Sequence, residues 1–248
     1  MKHNYTILPA RALGLLPALV IAGSLHAAAP VTVVTDPVEN TTDWTRVVTN
    51  TSVNNNVYTD RGGLAPTAGE NYWIGGNMTG SGTPNRGIYQ YFSGKTLEVG
   101  TYTATFDIGR LDTEYIPNFV SSLEINLLAD TQGAAGSYAY NERLEASAVT
   151  ITSASTPAAM TWETWTYTFT ITEDTKNRAG DSVVGSTLGF LIISAVPNDS
   201  GYAFDNLTIT YTAPVPEPGM VAALAGLAAL GAAVCIRRRR GVRSCPDA

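Results

Sequence analysis

The sequence predicts an all-β fold, an antiparallel two-sheet β-sandwich, and three observations carry that reading. Between residues 30 and 213 the chain alternates polar and apolar residues with a period of two, and no window sustains a helical period. The alternating runs are built from Thr, Val, Ile and aromatic residues, which fit a pleated, half-buried surface. Clusters of Gly, Asn, Asp and Pro cut the chain into about nine or ten short runs, which points to a two-sheet sandwich.

The runs follow in order. Residues 31–35 and 44–49 open the series, and residues 72–74 and 88–92 are short candidates between Gly- and Asn-rich loops at 50–70 and 75–86. In residues 101–108, Tyr102, Ala104, Phe106 and Ile108 share one face while Thr101, Thr103, Thr105 and Asp107 share the other. One wet face and one dry face is what an antiparallel sheet over a core requires. Leu123, Ile125 and Leu127 alternate with Glu124 and Asn126, and residues 144–152 form a weaker run after a loop at 130–143. In residues 165–172, Trp165, Tyr167, Phe169 and Ile171 face in, which makes Trp165 a core residue and leaves Trp162 off the inward parity. After a loop at 175–186, residues 188–193 are apolar at nearly every position, as in a central strand covered on both faces. In the last run Tyr202 and Phe204 share one parity and Leu207, Ile209 and Tyr211 the other, so a β-bulge is expected at Asp205-Asn206.

Both ends of the chain read as processing segments. Lys2 and Arg11 precede an apolar stretch, residues 12–25, that ends in Ala27-Ala28-Ala29, the layout of a secretory signal peptide over residues 1–29. Residues 30–213 are then the exported domain and residues 214–248 a separate tail. In that tail Pro216 and Pro218 fix φ and hold their predecessors extended, so no helix runs in from upstream. Residues 219–236 carry no charge and reach the roughly 18 residues of a transmembrane helix. Arg237, Arg238, Arg239 and Arg240 would hold the far end in the cytoplasm.

Pro216, Glu217, Pro218, the apolar run and the four arginines resemble, in that order, the PEP-CTERM sorting signal of Gram-negative bacteria. The resemblance implies that an exosortase, a membrane-embedded cysteine protease or transpeptidase, reads and processes the tail. It implies a membrane-anchored precursor and a product in an envelope rich in exopolysaccharide. An ordinary tail anchor is the alternative, but an anchor has no need of Pro-Glu-Pro.

Composition narrows the chemistry. Eight of the 15 Lys and Arg but 19 of the 21 acidic residues fall within residues 30–213, so that part carries about −11. Such a charge argues against nucleic acid or an anionic membrane surface as partner. Cys235 and Cys245 lie in the tail, and His3 and His26 lie in the signal peptide, so the exported part has neither residue type. Ser-His-Asp and Cys-His catalysis are thereby excluded there, together with a zinc site of the usual kind. Carboxylate chemistry of the glycoside-cleaving type remains, with Asp107 and Glu124 as an example pair, but wet-face acids are ordinarily just solvated.

Residues 87–92, 98–106, 165–170 and 203–209 are similar to segments of galactose-binding-like jelly rolls, a group with many carbohydrate-binding modules. That resemblance implies a jelly-roll-like sandwich and a structural Ca²⁺ held by the first loop and last strand. Asp205 matches the last-strand position and Asp36 or Glu39 would serve from the first loop; alternatively, Asp205-Asn206 stabilises the bulge by bonding its own backbone. Sugar binding needs aromatic platforms beside polar groups, and Tyr72, Trp73, Trp162, Tyr138 and Tyr140 are the candidates, with core packing the competing role for each. The expectation is a non-enzymatic exported protein that binds extracellular polysaccharide. A structural matrix or adhesive protein without a ligand is the alternative, and a glycoside hydrolase a further one.

Overall fold

A computed structural model describes residues 28–39, 42–48, 55–58, 63–77, 85–131, 140–144, 147–195, 197, 199–215, 226–228 and 230–232. Among them twelve strands form: β1 (Val31–Asp36), β2 (Thr45–Val48), β3 (Asn55–Tyr58), β4 (Tyr72–Asn77), β5 (Asn85–Thr96), β6 (Gly100–Arg110), β7 (Asn118–Phe119), β8 (Ser122–Asp130), β9 (Ser147–Thr150), β10 (Thr161–Ile171), β11 (Thr187–Ala195) and β12 (Ser200–Thr212). They make two sheets, and apart from a two-residue parallel contact between β7 and β12 every pairing is antiparallel. The first sheet runs β10-β6-β12-β4-β3, with β1 and β7 also paired to β12; the second runs β2-β5-β11-β8-β9.

β12 is the spine of the first sheet. Its first half pairs with β4, from Ser200 opposite Asn77 to Phe204 opposite Trp73, and its second half pairs with β1, from Leu207 opposite Asp36 to Tyr211 opposite Val31. Along its other edge β6 pairs with both halves, and the register slips between Asp205 and Thr208. Asn206 takes a φ of 54° at that slip, a left-handed conformation that Asn tolerates better than most residues. The slip turns Leu207 and Ile209 inward beside Phe204, so one strand feeds the core on both sides of the bulge.

The core lies between the sheets. Phe106 of β6 packs against Phe190 of β11 and Phe204 of β12 at centroid distances of 5.7 and 5.5 Å, and Trp44 closes one side edge-on to Phe204 at a centroid distance of 5.7 Å. β11 is apolar from Leu188 to Ile193 because both its faces are covered. Phe190 and Ile192 point into this core, while Leu191 and Ile193 join Val47, Tyr89 and Leu128 on the far side of the second sheet. Trp165 is half-buried and packs against the core.

Two strands were not expected from the sequence. β3 lies inside the segment read as a loop at 50–70, because Asn55-Asn56 pair as an edge ladder with β4 without any alternating pattern to announce it. β7 is only two residues long. The loop expected at 75–86 is shorter at both ends. Gly75 and Gly76 continue β4 against Tyr202 and Gly201, where an added side chain at Gly76 would meet Ile116 Cδ1 at 2.7 Å.

Residues 27–214 form one compact unit, and residues 1–26 with 215–248 are grouped apart from it. In the second group Gly226–Ala228 and Leu230–Ala232 are helical, and no helix of the described residues is long and apolar enough to cross a membrane. The expected signal peptide through residue 27, Pro216, Glu217, Pro218 and the Arg237, Arg238, Arg239 and Arg240 cluster lie outside the described residues, as does most of the expected span at 219–236.

Candidate functional site

The outer face of the first sheet concentrates the buried acids. Opposed residues in an antiparallel pair share a face, so Asp205, Asp107 and Thr164, which stand in one row across β12, β6 and β10, all point outward. Asp205 is fully buried and Asp107 is 6% exposed, because residues 63–70 cross over them as a strap. Asp205 Oδ2 accepts from the backbone N–H groups of Thr67 (2.7 Å) and Ala68 (3.2 Å), and its Oδ1 accepts from Asn206 N (2.8 Å). Asp107 Oδ1 accepts from the Thr164 hydroxyl (2.6 Å) and its Oδ2 from Asn206 Nδ2 (3.1 Å). The Thr67 hydroxyl stands between the two acids, 2.7 Å from Asp107 Oδ2 and 2.9 Å from Asp205 Oδ2.

A hydroxyl carries one proton, so it satisfies one ionised acceptor at a time. Among the described residues no ion pair reaches either acid. Burial pushes the Asp205 carboxyl above the usual carboxylate range, and the hydrogen bonds from Thr67, Ala68 and Asn206 oppose that shift in part. These two acids latch the strap to the sheet. Leu64 anchors it further among Tyr72, Ile74, Leu111, Ile116 and Ala203, and the Trp162 indole N–H donates to Ala65 O at 2.8 Å.

The residues singled out for Ca²⁺ are not brought together. Asp36 stands opposite Leu207, a core residue, whereas Asp205 points outward, so the two carboxyls leave opposite faces of the sheet. Asp36 Oδ1 instead accepts from Val38 N (2.7 Å) and Trp44 Nε1 (3.1 Å), which holds the turn where buried Val38 adopts a φ of 58°. Glu39 Oε1 accepts from Glu70 N (2.6 Å), and Asn71 Nδ2 donates to its Oε2 and its carbonyl (3.0 Å each), so it ties the end of the strap to the first loop. No cluster of three metal-ligating side chains occurs among the described residues. The bond from Asn206 N to Asp205 Oδ1 is the self-capping of the bulge that the sequence offered as the alternative role.

The aromatic platforms need correction. Tyr72 and Trp73 are 0% and 1% exposed, on opposite faces of β4, because the Leu64 cluster covers one face and the inter-sheet core the other. Trp73 packs on Tyr202 at 5.2 Å, so neither ring offers a face to a sugar. Trp162 is half-buried, edge-on to Tyr72 at 5.3 Å, and pins the strap. Tyr140 begins a single 3-10 turn, Tyr140–Glu142, but its side chain and all of Tyr138 lie outside the described residues. Asp107 and Glu124 do not face each other either. Glu124 is in the second sheet, paired with Arg143 and 4.0 Å from Arg178, while the acid opposite Asp107 is Asp205. The sequence placed the bulge at Asp205-Asn206, but only the register between β12 and β6 sets Asp205 against Asp107.

The fold and sequence together define a β-sandwich domain joined to a sorting segment. Residues 214–240 match the PEP-CTERM protein-sorting motif. No curated protein sequence matches the chain. Among solved structures, the sandwich is similar to a Stig cyclase, Fisc, from Fischerella sp. TAU, at 19% identity and a TM-score of 0.50, covering 80% of this chain and 93% of that one. That likeness is one of fold. Lower-scoring matches at a TM-score of 0.44 and 12% identity include the CBM22-1 xylan-binding domain of Paenibacillus barcinonensis Xyn10C, covering 76% of this chain and 99% of that one. The family 11 carbohydrate-binding module from Clostridium thermocellum matches at the same values, over 74% and 96%.

Proposed function

We propose that this is an exported envelope protein whose tail is read and processed by an exosortase, and whose jelly-roll-like sandwich binds extracellular polysaccharide without catalysing a reaction. The observation that carries the reading is the sorting motif at residues 214–240, in which the sequence Pro216-Glu217-Pro218 precedes an uncharged apolar run at 219–236 and four arginines. The signal peptide, residues 1–29, delivers the domain to the same membrane.

The binding part is supported by the destination and by the outer face of the first sheet beyond the strap. There rows such as Thr166, Thr105, Thr208 and Thr35 stand in register, an uncharged hydroxyl-bearing surface suited to a hydrated matrix. The burial of Tyr72 and Trp73 favours a second reading, a structural matrix protein with no ligand. Two measurements test the proposal. Replacing Glu217 with Ala should leave the tail attached in cells that process the wild type; unchanged processing refutes the sorting role. The exported form should co-sediment with exopolysaccharide from the same culture, and its staying in solution leaves the matrix reading.

A further inference from the structure

A sheet edge is an open row of backbone N–H and C=O groups, and folded proteins blunt it with short strands, lysine, proline or bulges. In this sandwich three of the four sheet ends, β2, β3 and β9, are only four residues long. The fourth is β10, eleven residues that pair with β6 without a slip and meet no strand on their other side among the described residues. It holds neither proline nor lysine, and its one charge is Glu163. The result is an open edge about 35 Å long.

The core is unfinished along that edge. Phe106 and Ala104 of β6 are fully buried, but Trp165 and Tyr167, which stand opposite them on β10, are only half-buried. The Tyr167 ring lies nearly parallel to Phe106 at a centroid distance of 6.0 Å, so one of its faces covers the core and the other is turned away from it. On the outer face of the sheet Thr164, Thr166, Thr168 and Thr170 are exposed.

The order of residues along β10 is self-complementary. Laid antiparallel to a second β10 with Thr166 opposite Thr166, every residue of the strand finds an opposite: Trp165 meets Tyr167, Thr164 meets Thr168 and Glu163 meets Phe169. The two aromatic pairs are of the cross-strand kind that stabilises sheets, and no two like charges face each other. Such a pairing supplies about ten main-chain hydrogen bonds, as many direct hydrogen bonds as a typical protein–protein interface carries.

We propose that β10 is the interface of a homodimer, in which two first sheets join into one continuous sheet about a two-fold axis at Thr166. A second copy is the partner because β10 read backwards supplies an aromatic for each half-buried aromatic and an uncharged residue for Glu163. The dimer stands independently of whether the domain binds polysaccharide.

Sedimentation of the full chain in a zwitterionic detergent reads the association, and engineered cysteines in a Cys235→Ser, Cys245→Ser background read the register. The wild type should sediment as a dimer. Thr166→Lys, on the exposed face, sets two ammonium groups opposite each other and should raise the dimer dissociation constant about tenfold. Thr168→Lys, about 13 Å from its own copy across the pair, should leave it unchanged. Under mild oxidation Thr166→Cys should form a disulfide dimer, since opposed residues lie within bonding reach, whereas Thr168→Cys should not. A monomeric wild type overturns the proposal, and so does a dimer that Thr166→Lys leaves intact, because the copies then meet elsewhere. Equal crosslinking at the two cysteines, or none at Thr166→Cys, overturns it as well.

Discussion

The strap latch yields a sharp expectation for Thr67→Val. Valine keeps the shape of threonine and the backbone N–H bonds from residues 67 and 68 to Asp205, and deletes only the hydroxyl between the two acids. A hydrogen bond to a charged acceptor contributes about 1.5–3 kcal/mol, and losing a donor between two buried oxygens leaves one of them short. Thr67 itself is exposed, so water replaces part of the bond and a loss of about 1–2 kcal/mol is expected. For a domain of this size each kcal/mol moves Tm by roughly 2–4 °C, so Tm should fall by about 2–8 °C. Urea unfolding of the compact unit should show a lower midpoint with an unchanged slope, because the surface exposed on unfolding is the same. Thr67→Ser, which restores the hydroxyl, should recover most of the loss. A Thr67→Val midpoint within error of wild type, or an equal loss in Thr67→Ser, refutes the latch.

Two further expectations follow from neighbouring features. Asp205 is raised above its unfolded value of about 3.9 by burial, so its stabilising contribution is complete below that value and is lost as pH rises through the folded value. The stability advantage of wild type over Asp205→Asn should therefore shrink as pH is raised upward from about 4, and a difference independent of pH would contradict the assignment. Gly87 has no room for a methyl group: an added Cβ would run into the Ile192 carbonyl and sit 2.7 Å from Ile193 Cα, both backbone atoms of the central strand. Gly87→Ala should cost about 1–3 kcal/mol in chemical denaturation, and a neutral result would mean β5 and β11 slide apart freely.

Much of the sandwich was legible because half-buried antiparallel strands write their burial into the sequence. Tyr102, Ala104, Phe106 and Ile108 could only face a core together, and the phase change at Asp205-Asn206 could only be absorbed by a bulge. Residues 188–193 announced a central strand by being apolar on both parities, and β11 is that strand. Edge pairings left no such mark. β3 and β7 are short and polar, and what holds them is a neighbour brought from elsewhere in the chain.

The candidate site divides along the same line. By itself the amino-acid sequence determined the antiparallel two-sheet class, the bulge in the last strand, the absence of His and Cys from residues 30–213, and the sorting motif, because each is a local pattern or a matter of composition. Which acids meet was decided by tertiary structure alone. Asp205 finds Asp107 and the strap rather than Asp36 and Glu39, since a face is set by strand register and a roof by a loop 138 residues away in sequence. The fate of Tyr72 and Trp73 was decided there too: an aromatic in a Gly-rich stretch has the same sequence signature whether exposed or buried, and only what packs on the two faces of β4, the inter-sheet core over Trp73 and the Leu64 cluster over Tyr72, buries them.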